Sequence, residues 1–530
     1  MGQLIEYGPD ARNKIYEGIK KVNNAVKVTL GPMGRRVIIS QLRYPQYDNI
    51  PMALHVTKDG VTTARSISLI DPFENIGQRL VQEAAQKSVD MSGDGTTTTT
   101  VLLEALVRHG LDLLKKGSAV NPQDLKKGID EAVLKVIDAL KERAVAIGDN
   151  DIDKIRQIAT VSANNDQEIG DLIAEAFKEI GREGVIDIQQ SVTDKTYIKT
   201  ADGFKIDSGF IAPHFKTNEA KNECELINPV ILLYEKNILK LEQIKPSMDI
   251  ALREGRPLLV ICEDCEMQAL AILIMNKLKG ILPACVVKSP FMGERRTQVM
   301  EDVAAFTGGT YMMNTKGTKL ENITKAHLGN AEKVIITKDS TVIIGGQKGK
   351  LYEDLVNELK TDLHDHNNKT EDEKADAEKR IARLKGGVAV IHVGAPTETE
   401  MKEKIDRVDD AVRATKAAIA EGYLPGGGAE LVKFTEGEIK SLGEMVVLKA
   451  LKEPLSQICR NAGVDEVKIL KSVENAPVGH GYNAKTGTVE NLIEAGIIDP
   501  LKVVRCALQN AASVAGNLLI AEAVITDTPN

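Results

Sequence analysis

Ser92-Gly93-Asp94-Gly95-Thr96-Thr97-Thr98-Thr99-Thr100 lies between two helical patterns and opens the second of them. A helix start presents unpaired backbone N–H groups and a partial positive charge. Gly93 and Gly95 let the backbone come close to an anion, and the threonine hydroxyls add donors. Asp94 would repel a phosphate unless a cation stood between them. Mg²⁺ suits that place, as a hard ion bridging carboxylate and phosphate oxygens. Taken in isolation, the stretch reads more readily as an Asp or Thr N-cap on a β-branched helix start. It is not a Walker A loop, because G-x-x-x-x-G-K-[ST] is absent from the chain.

Three further turns resemble it in kind. Thr29-Leu30-Gly31-Pro32-Met33-Gly34-Arg35 ends a helical pattern running from Ala11 to Leu30, Lys58-Asp59-Gly60-Val61 follows a strand, and Pro425-Gly426-Gly427-Gly428 precedes a helix. Each is weak alone. Together they suggest one composite site built from both ends of the chain.

Around these turns the first third reads as mostly helical, with patterns over Phe73–Met91 and Thr96–Lys116. Short β segments stand at 36–40 and 54–57, separated by a polar loop, 41–52. The middle changes character. Pro229–Tyr234, Pro257–Cys262 and Ile281–Val287 are short buried-strand runs alternating with helical patterns, the rhythm of an open α/β sheet. Val334–Ile344 reads as a hairpin turning at Lys338-Asp339, and Lys350–Leu384 as a helical hairpin broken around His364 and His366. Those two histidines suit a solvated turn better than a metal site. From Met401 onward the chain is helical again. Gly203 and Gly386-Gly387 mark where the central insert begins and ends, and are read as hinges or as ordinary turns.

The chain has 530 residues, more than the roughly 250–300 at which single cores stop growing. Apolar residues make up 42% and charged residues 27%, a globular balance. Aromatics are only 3% and Trp is absent, so the cores are built from aliphatic side chains and no stacking platform for nucleic acid is expected. Acidic residues outnumber basic ones, 76 to 68, which also disfavours a phosphate backbone as partner. No signal or transit pattern and no membrane-spanning stretch is read, which leads to the expectation of a cytoplasmic protein without membrane contact. Cys262 and Cys265 form a C-x-x-C after an apolar run. Without further ligands, and with Glu263 and Asp264 beside them, reduced structural cysteines are the favoured reading over a redox or zinc pair.

Several strings, in this order, resemble the group I chaperonins: Val26–Pro32, Thr57–Val61, Gly93–Thr98, Gly386–Ile391, Glu400–Lys404 and Ala511–Gly516. The likeness spans nearly the whole chain. It implies a multidomain α+β and α/β fold. A mostly helical equatorial domain would be built from both chain ends (1–144 and 420–530), with a small intermediate hinge domain (145–201 and 388–419). An α/β apical domain (202–387) would be inserted centrally.

The resemblance implies an ATPase with ATP, Mg²⁺ and K⁺ as cofactors. Thr29, Leu30, Gly31 and Pro32 would line the phosphates, and Gly95, Thr96, Thr97 and Thr98 would cradle phosphate oxygens. Asp94 would hold Mg²⁺. Lys58 and Asp59 would sit beside the γ-phosphate. Asp410, arriving on the intermediate domain, would orient the attacking water. Gly427, Asn483, Ala484 and Asp499 would contact the nucleoside. Phe210, His214, Phe215, Met248, Leu270, Ile274 and Met275 match positions where the family presents an apolar groove to non-native chains and to a lid. The implied partners are further copies in a seven-membered ring, single or double, non-native client proteins and a GroES-type co-chaperonin lid.

The chain departs from the family pattern at several points. Lys245 and His214 make the groove more polar, the 41–52 loop is longer, Pro425 precedes the glycine triplet, and Lys485 stands beside the nucleoside. Ser456 replaces an arginine that serves the ring–ring contact, whereas Asp465 keeps its acidic partner. These departures mark a divergent, specialised or virus-encoded copy. Two other functions remain open: a chaperonin-fold scaffold or assembly protein without a productive folding cycle, and a small-molecule kinase built on the Gly-Asp-Gly-Thr loop.

Overall fold

The computed structural model describes residues 3–41, 53–115, 119–148, 151–181, 184–191, 193–219, 222–313, 320–364, 377, 380, 381, 383, 384, 386–435 and 439–527. The 42–52 loop and His366 therefore lie outside the described residues. The chain forms two compact units, one of Met1–Glu175, Ile188–Tyr197 and His392–Asn530, the other of Ala176–Asp187 and Ile198–Ile391.

The first unit is helical because its sequence repeats apolar residues at helical spacing and caps the ends. Asp71 accepts from the N–H groups of Phe73 (2.9 Å) and Glu74 (3.0 Å), with Pro72 opening Pro72–Ser92. Asn121 accepts from Gln123 N–H at 2.9 Å and starts Pro122–Arg143 in the same way. Gly8–Val26 packs on Pro72–Ser92 closely enough that a Cβ at Gly18 would lie 1.9 Å from the Glu74 carbonyl oxygen. Leu501–Ile520 packs on Thr96–Leu113, Pro122–Arg143 and Pro72–Ser92. This 20-residue helix is long and apolar enough to cross a membrane, a candidate that the sequence reading passed over. Its Leu508, Ala511, Ala515 and Leu519 are fully enclosed, as befits the central helix of a core. The two chain ends meet as antiparallel strands, Gln3–Tyr7 and Ala523–Asp527, with Ile5 opposite Ile525.

The second unit is built on a mixed sheet. Val230–Tyr234, Leu258–Cys262 and Ala284–Lys288 run parallel, joined by the helices Leu241–Glu254 and Met267–Leu278, and all but Lys288 of their residues are buried. Continuous apolar runs are what a strand covered on both faces requires. Tyr311–Met312 adds to Val230–Tyr234 after the helix Gly293–Thr307. The expected hairpin forms from Gly329–Ile336 and Thr341–Gly346, and the latter pairs with Tyr197–Ile206.

Gly203 and Gly387 stand in strands, which corrects the reading of ordinary turns there. Gly203 lies inside Tyr197–Ile206, opposite Ile344, and donates its N–H to the Gly386 carbonyl at 3.1 Å. A Cβ there would sit 2.0 Å from Val388 Cγ2, so the glycine serves close packing within a sheet. Gly387 likewise opens a strand, Gly387–Val393.

Ser456 is buried in the helix Glu453–Ala462. Asp465 is the N-cap of Glu466–Glu474, accepting from Val467 N–H (3.0 Å) and Lys468 N–H (3.2 Å). The ion pair at this place joins Arg460 to Glu466 and, at 2.9 Å, to Glu453.

Candidate functional site

A cleft of about 540 Å³ opens in the first unit, within the roughly 300–1,000 Å³ typical of small-ligand sites. Thr29, Leu30, Gly31, Pro32, Lys58, Asp59, Asp94, Gly95, Thr96, Thr97, Thr98, Asp410, Gly427, Asn483, Ala484 and Asp499 all line it. The turns that looked weak one by one thus share one wall.

The centre of the cleft is the start of Thr96–Leu113. Its N-cap is Gly95, left-handed at φ 90°, and no side chain caps it. This corrects the capping reading of the motif. Asp94 turns its Oδ1 to the Gly95 N–H, and Thr99 makes the first helical bond, to the Gly95 carbonyl at 2.9 Å. The helix mouth therefore keeps its orphan donors for an anion. Gly60 lies against that mouth: a Cβ on it would meet Thr97 Oγ1 at 2.5 Å and Thr96 Oγ1 at 2.8 Å. Thr29 Oγ1 stands 3.4 Å from Thr97 Oγ1, which brings the first glycine turn to the same spot.

Four carboxylates surround this donor-rich mouth. Asp59 caps Gly60–Ser66, accepting from Val61 N–H (3.1 Å) and Thr62 N–H (2.7 Å). Asp94 is pushed above the ordinary carboxylate range by enclosure and by Asp59, against the pull of the Gly95 N–H. Asp410, on the helix Glu398–Glu421, is raised well above that range by enclosure, then by Asp94 and Asp59. Asp499 is pushed up to about 6 by enclosure and by Asp94, although its Oδ2 accepts the Gly427 N–H at 3.0 Å. Lys58 is held below its usual value by enclosure and by Arg36, while Glu403 pulls it back up. Acids that raise one another in this way would be relieved by a cation.

Among the described residues, no three His, Cys, Asp or Glu side chains converge as a metal cage. The donor set fits Mg²⁺ nonetheless. That ion commonly takes one or two protein carboxylates and completes its shell with waters and phosphate oxygens.

The helix that carries Asp410 packs on Ile152–Ser162 and Leu501–Ile520, and Asp410 lines the cleft.

The sequence reading missed other lining residues. Asn164 (φ 58°) and Asn165 (φ 64°) turn in left-handed conformation at the cleft edge. Beside them Arg407 bonds Asp166 at 2.7 Å and Glu403 at 3.0 Å. The polar break Ser162–Asp166 between two helical patterns was the signal. Buried Glu430 also lines the cleft, with one oxygen on Arg143 at 3.1 Å and the other unpartnered. Nothing in its local pattern marks it.

In the second unit, the seven groove positions divide. His214 is exposed, Met275 is 50% exposed and Ile274 is half-buried, whereas Phe210, Met248 and Leu270 are nearly enclosed. Phe215 is 0% exposed and packs in the core, so it supports the surface from beneath and presents nothing to a partner. Leu278, on the same helix, is exposed as well, and so are Met267 and Ile281, which were not singled out. The cysteines behave as expected. Cys262 and Cys265 are buried and free, the first thiol raised well above its ordinary value and the second to about 11, chiefly by burial.

The family model of the TCP-1/cpn60 chaperonin family matches residues 22–529. The fold is similar to two crystal forms of the chaperonin gp146 from the bacteriophage EL 2 (Pseudomonas aeruginosa), solved in presence of ATP-BeFx. Form II has a TM-score of 0.71 at 22% identity, covering 99% of this chain and 100% of that one. Form I has a TM-score of 0.64 at 22% identity, covering 99% of each. A family match over nearly the whole length, a fold shared end to end and the collinear glycine turns lining one cleft lead to one conclusion: the chain belongs to the TCP-1/cpn60 chaperonin family.

Proposed function

We propose that this chaperonin is an ATP-driven ring machine that binds non-native proteins and encloses them while they fold. The observation that carries the reading is the convergence of Asp59, Asp94, Asp410 and Asp499, from four separate segments, on the uncapped start of Thr96–Leu113.

Phosphoryl transfer to water needs charge neutralisation and an aligned nucleophile more than covalent help. Thr96, Thr97 and Thr98 offer backbone N–H groups to the phosphate oxygens, with Thr29–Pro32 closing the other side. Asp94 holds Mg²⁺, which neutralises charge on the phosphates when bound, and Lys58 adds a point charge beside the terminal group. K⁺ near the phosphates belongs to the same reading. Asp410 orients the attacking water and accepts its proton, assisted by Asp59. Gly427, Asn483, Ala484 and Asp499 hold the nucleoside end.

The three-domain division, with its equatorial, intermediate and apical parts, and the seven-membered ring belong to this reading, as does a lid. Ile274, Met275 and His214 offer the client-binding surface, with Phe210, Met248 and Leu270 just beneath. Methionine and isoleucine suit partners of varied shape.

The test compares the native chain with Asp410→Ala. ATP hydrolysis should fall by two orders of magnitude or more, roughly the worth of a positioned base, while ATP still binds. Refolding of an aggregation-prone protein should fail with it. A native chain that hydrolyses ATP but never suppresses aggregation would instead be a chaperonin-fold scaffold, and phosphorylation of a metabolite would make it a kinase.

A further inference from the structure

Gly93 ends Pro72–Ser92 in left-handed conformation, φ 81°, and donates its N–H to the Val89 carbonyl at 2.7 Å. It opens the turn whose Asp94 and Gly95 stand at the mouth of Thr96–Leu113. The space that a Cβ of residue 93 would need is already taken. Arg413 Cβ stands 2.2 Å from that point, and its Cγ and Cδ stand 3.0 Å from it. Three successive carbons of one arginine thus lie along the bare face of a glycine. Any other residue at 93 would strain the backbone and push this stem away.

Arg413 stands one turn after Asp410 on Glu398–Glu421, so the two side chains are neighbours on the helix surface. Asp410 lines the cleft, whereas Arg413 is not among the described residues that do. The Arg413 guanidinium pairs with Asp409 at 2.9 Å, with the two side chains 37% and 32% exposed. Half-exposed pairs of this kind contribute little. A stem pressed on backbone does more, because close-packed atoms resist sliding and an arginine's methylenes pack as any apolar chain does. Ala411, Ala414 and Thr415 beside it are fully buried, so the helix is closely seated along this stretch. We propose, resting on the ATPase reading of the cleft, that Arg413 is a positioning residue for ATP hydrolysis. Its stem, seated on Gly93, fixes the height and rotation of its helix against the Asp94 turn, and so sets the distance from Asp410 to the attacking water. Arg413 touches no reacting atom, and its charge is dispensable for this role.

The test measures steady-state ATP hydrolysis, and ATP binding by calorimetry, for the native chain, Arg413→Ala, Arg413→Met and Asp410→Ala. Alanine is the best helix former, so Arg413→Ala should keep the native far-UV circular dichroism. Its kcat should fall by roughly tenfold to a hundredfold, as expected when a catalytic group moves by about 1 Å, with ATP affinity unchanged. Methionine keeps Cβ and Cγ, puts sulfur in place of Cδ and carries no charge, so Arg413→Met should retain kcat close to the native value. An undiminished kcat in Arg413→Ala, an equal fall in both variants, or a loss of ATP affinity or of native circular dichroism that matches the loss of kcat overturns the proposal. The Asp410→Ala arm separates the two readings. If that variant is impaired and Arg413→Ala is not, Arg413 alone is removed. A native chain that does not hydrolyse ATP, or an Asp410→Ala chain that hydrolyses it unimpaired, overturns the ATPase reading and this one with it.

Discussion

Asp499 shows at the scale of one residue how the cleft stores electrostatic tension. Its folded value of about 6 stands above the ordinary 3.8, so the folded chain binds its proton more tightly than the unfolded chain. Stability from this group is present below the ordinary value and is lost as pH rises toward 6. Asp499→Asn can still accept the Gly427 N–H while removing the charge. The variant should therefore gain stability over the native chain between pH 4 and 6 and hold that gain above it. The gain should be on the order of 1–3 kcal/mol in the absence of cation and nucleotide. Denaturant unfolding of both chains across this range measures it, and a gain independent of pH would contradict the assignment. The carboxylate was legible from the family likeness, but its tension was not. It arises first from enclosure and then from Asp94, hundreds of positions away, and only folding buries the group and brings the two within electrostatic reach.

At the scale of elements, the start of Thr96–Leu113 and its neighbour Gly60 form one device. Alanine at Gly60 adds helix propensity worth about 0.5–1 kcal/mol, offsetting the crowding of Thr96 and Thr97. Gly60→Ala should thus leave the melting temperature nearly unchanged while pushing the phosphate cradle out of shape. Nucleotide affinity should fall by roughly tenfold to a hundredfold, as expected for a displacement of about 1 Å. Calorimetric titration with ATP reads this directly, and an unchanged affinity would remove Gly60 from the site. The helices Pro72–Ser92 and Thr96–Leu113 were visible from periodicity and turn chemistry, because both act within a few residues. The close packing at Gly203 was not legible, because its constraint, the approach of Val388, comes from a strand far along the chain.

For the whole molecule, two units with separate cores imply separate melting transitions. One core gathers Phe204, Phe215, Leu232 and Val260, the other Ile19, Leu102, Ile129 and Leu519. Scanning calorimetry should resolve two transitions, and Mg-ATP should raise only the one belonging to the helical unit. At a hundredfold excess over Kd the stabilisation is about 2.7 kcal/mol, a rise of roughly 5 °C. Both transitions rising together would contradict independent cores.

What the sequence determined by itself was local or collinear: the helical patterns, the buried strands, the glycine turns and the order of strings that relates them to a family. These depend on neighbours within a few residues, where propensity and capping act. The tertiary structure alone decided what depends on distance through space. It left the helix start at Gly95 uncapped, set Asp410 beside Asp94 and Asp59, sealed Phe215 beneath its surface and buried Ser456. It also buried the Ser289 hydroxyl without a hydrogen-bond partner. Burial and charge repulsion are sums over everything nearby, and no window of sequence contains those neighbours.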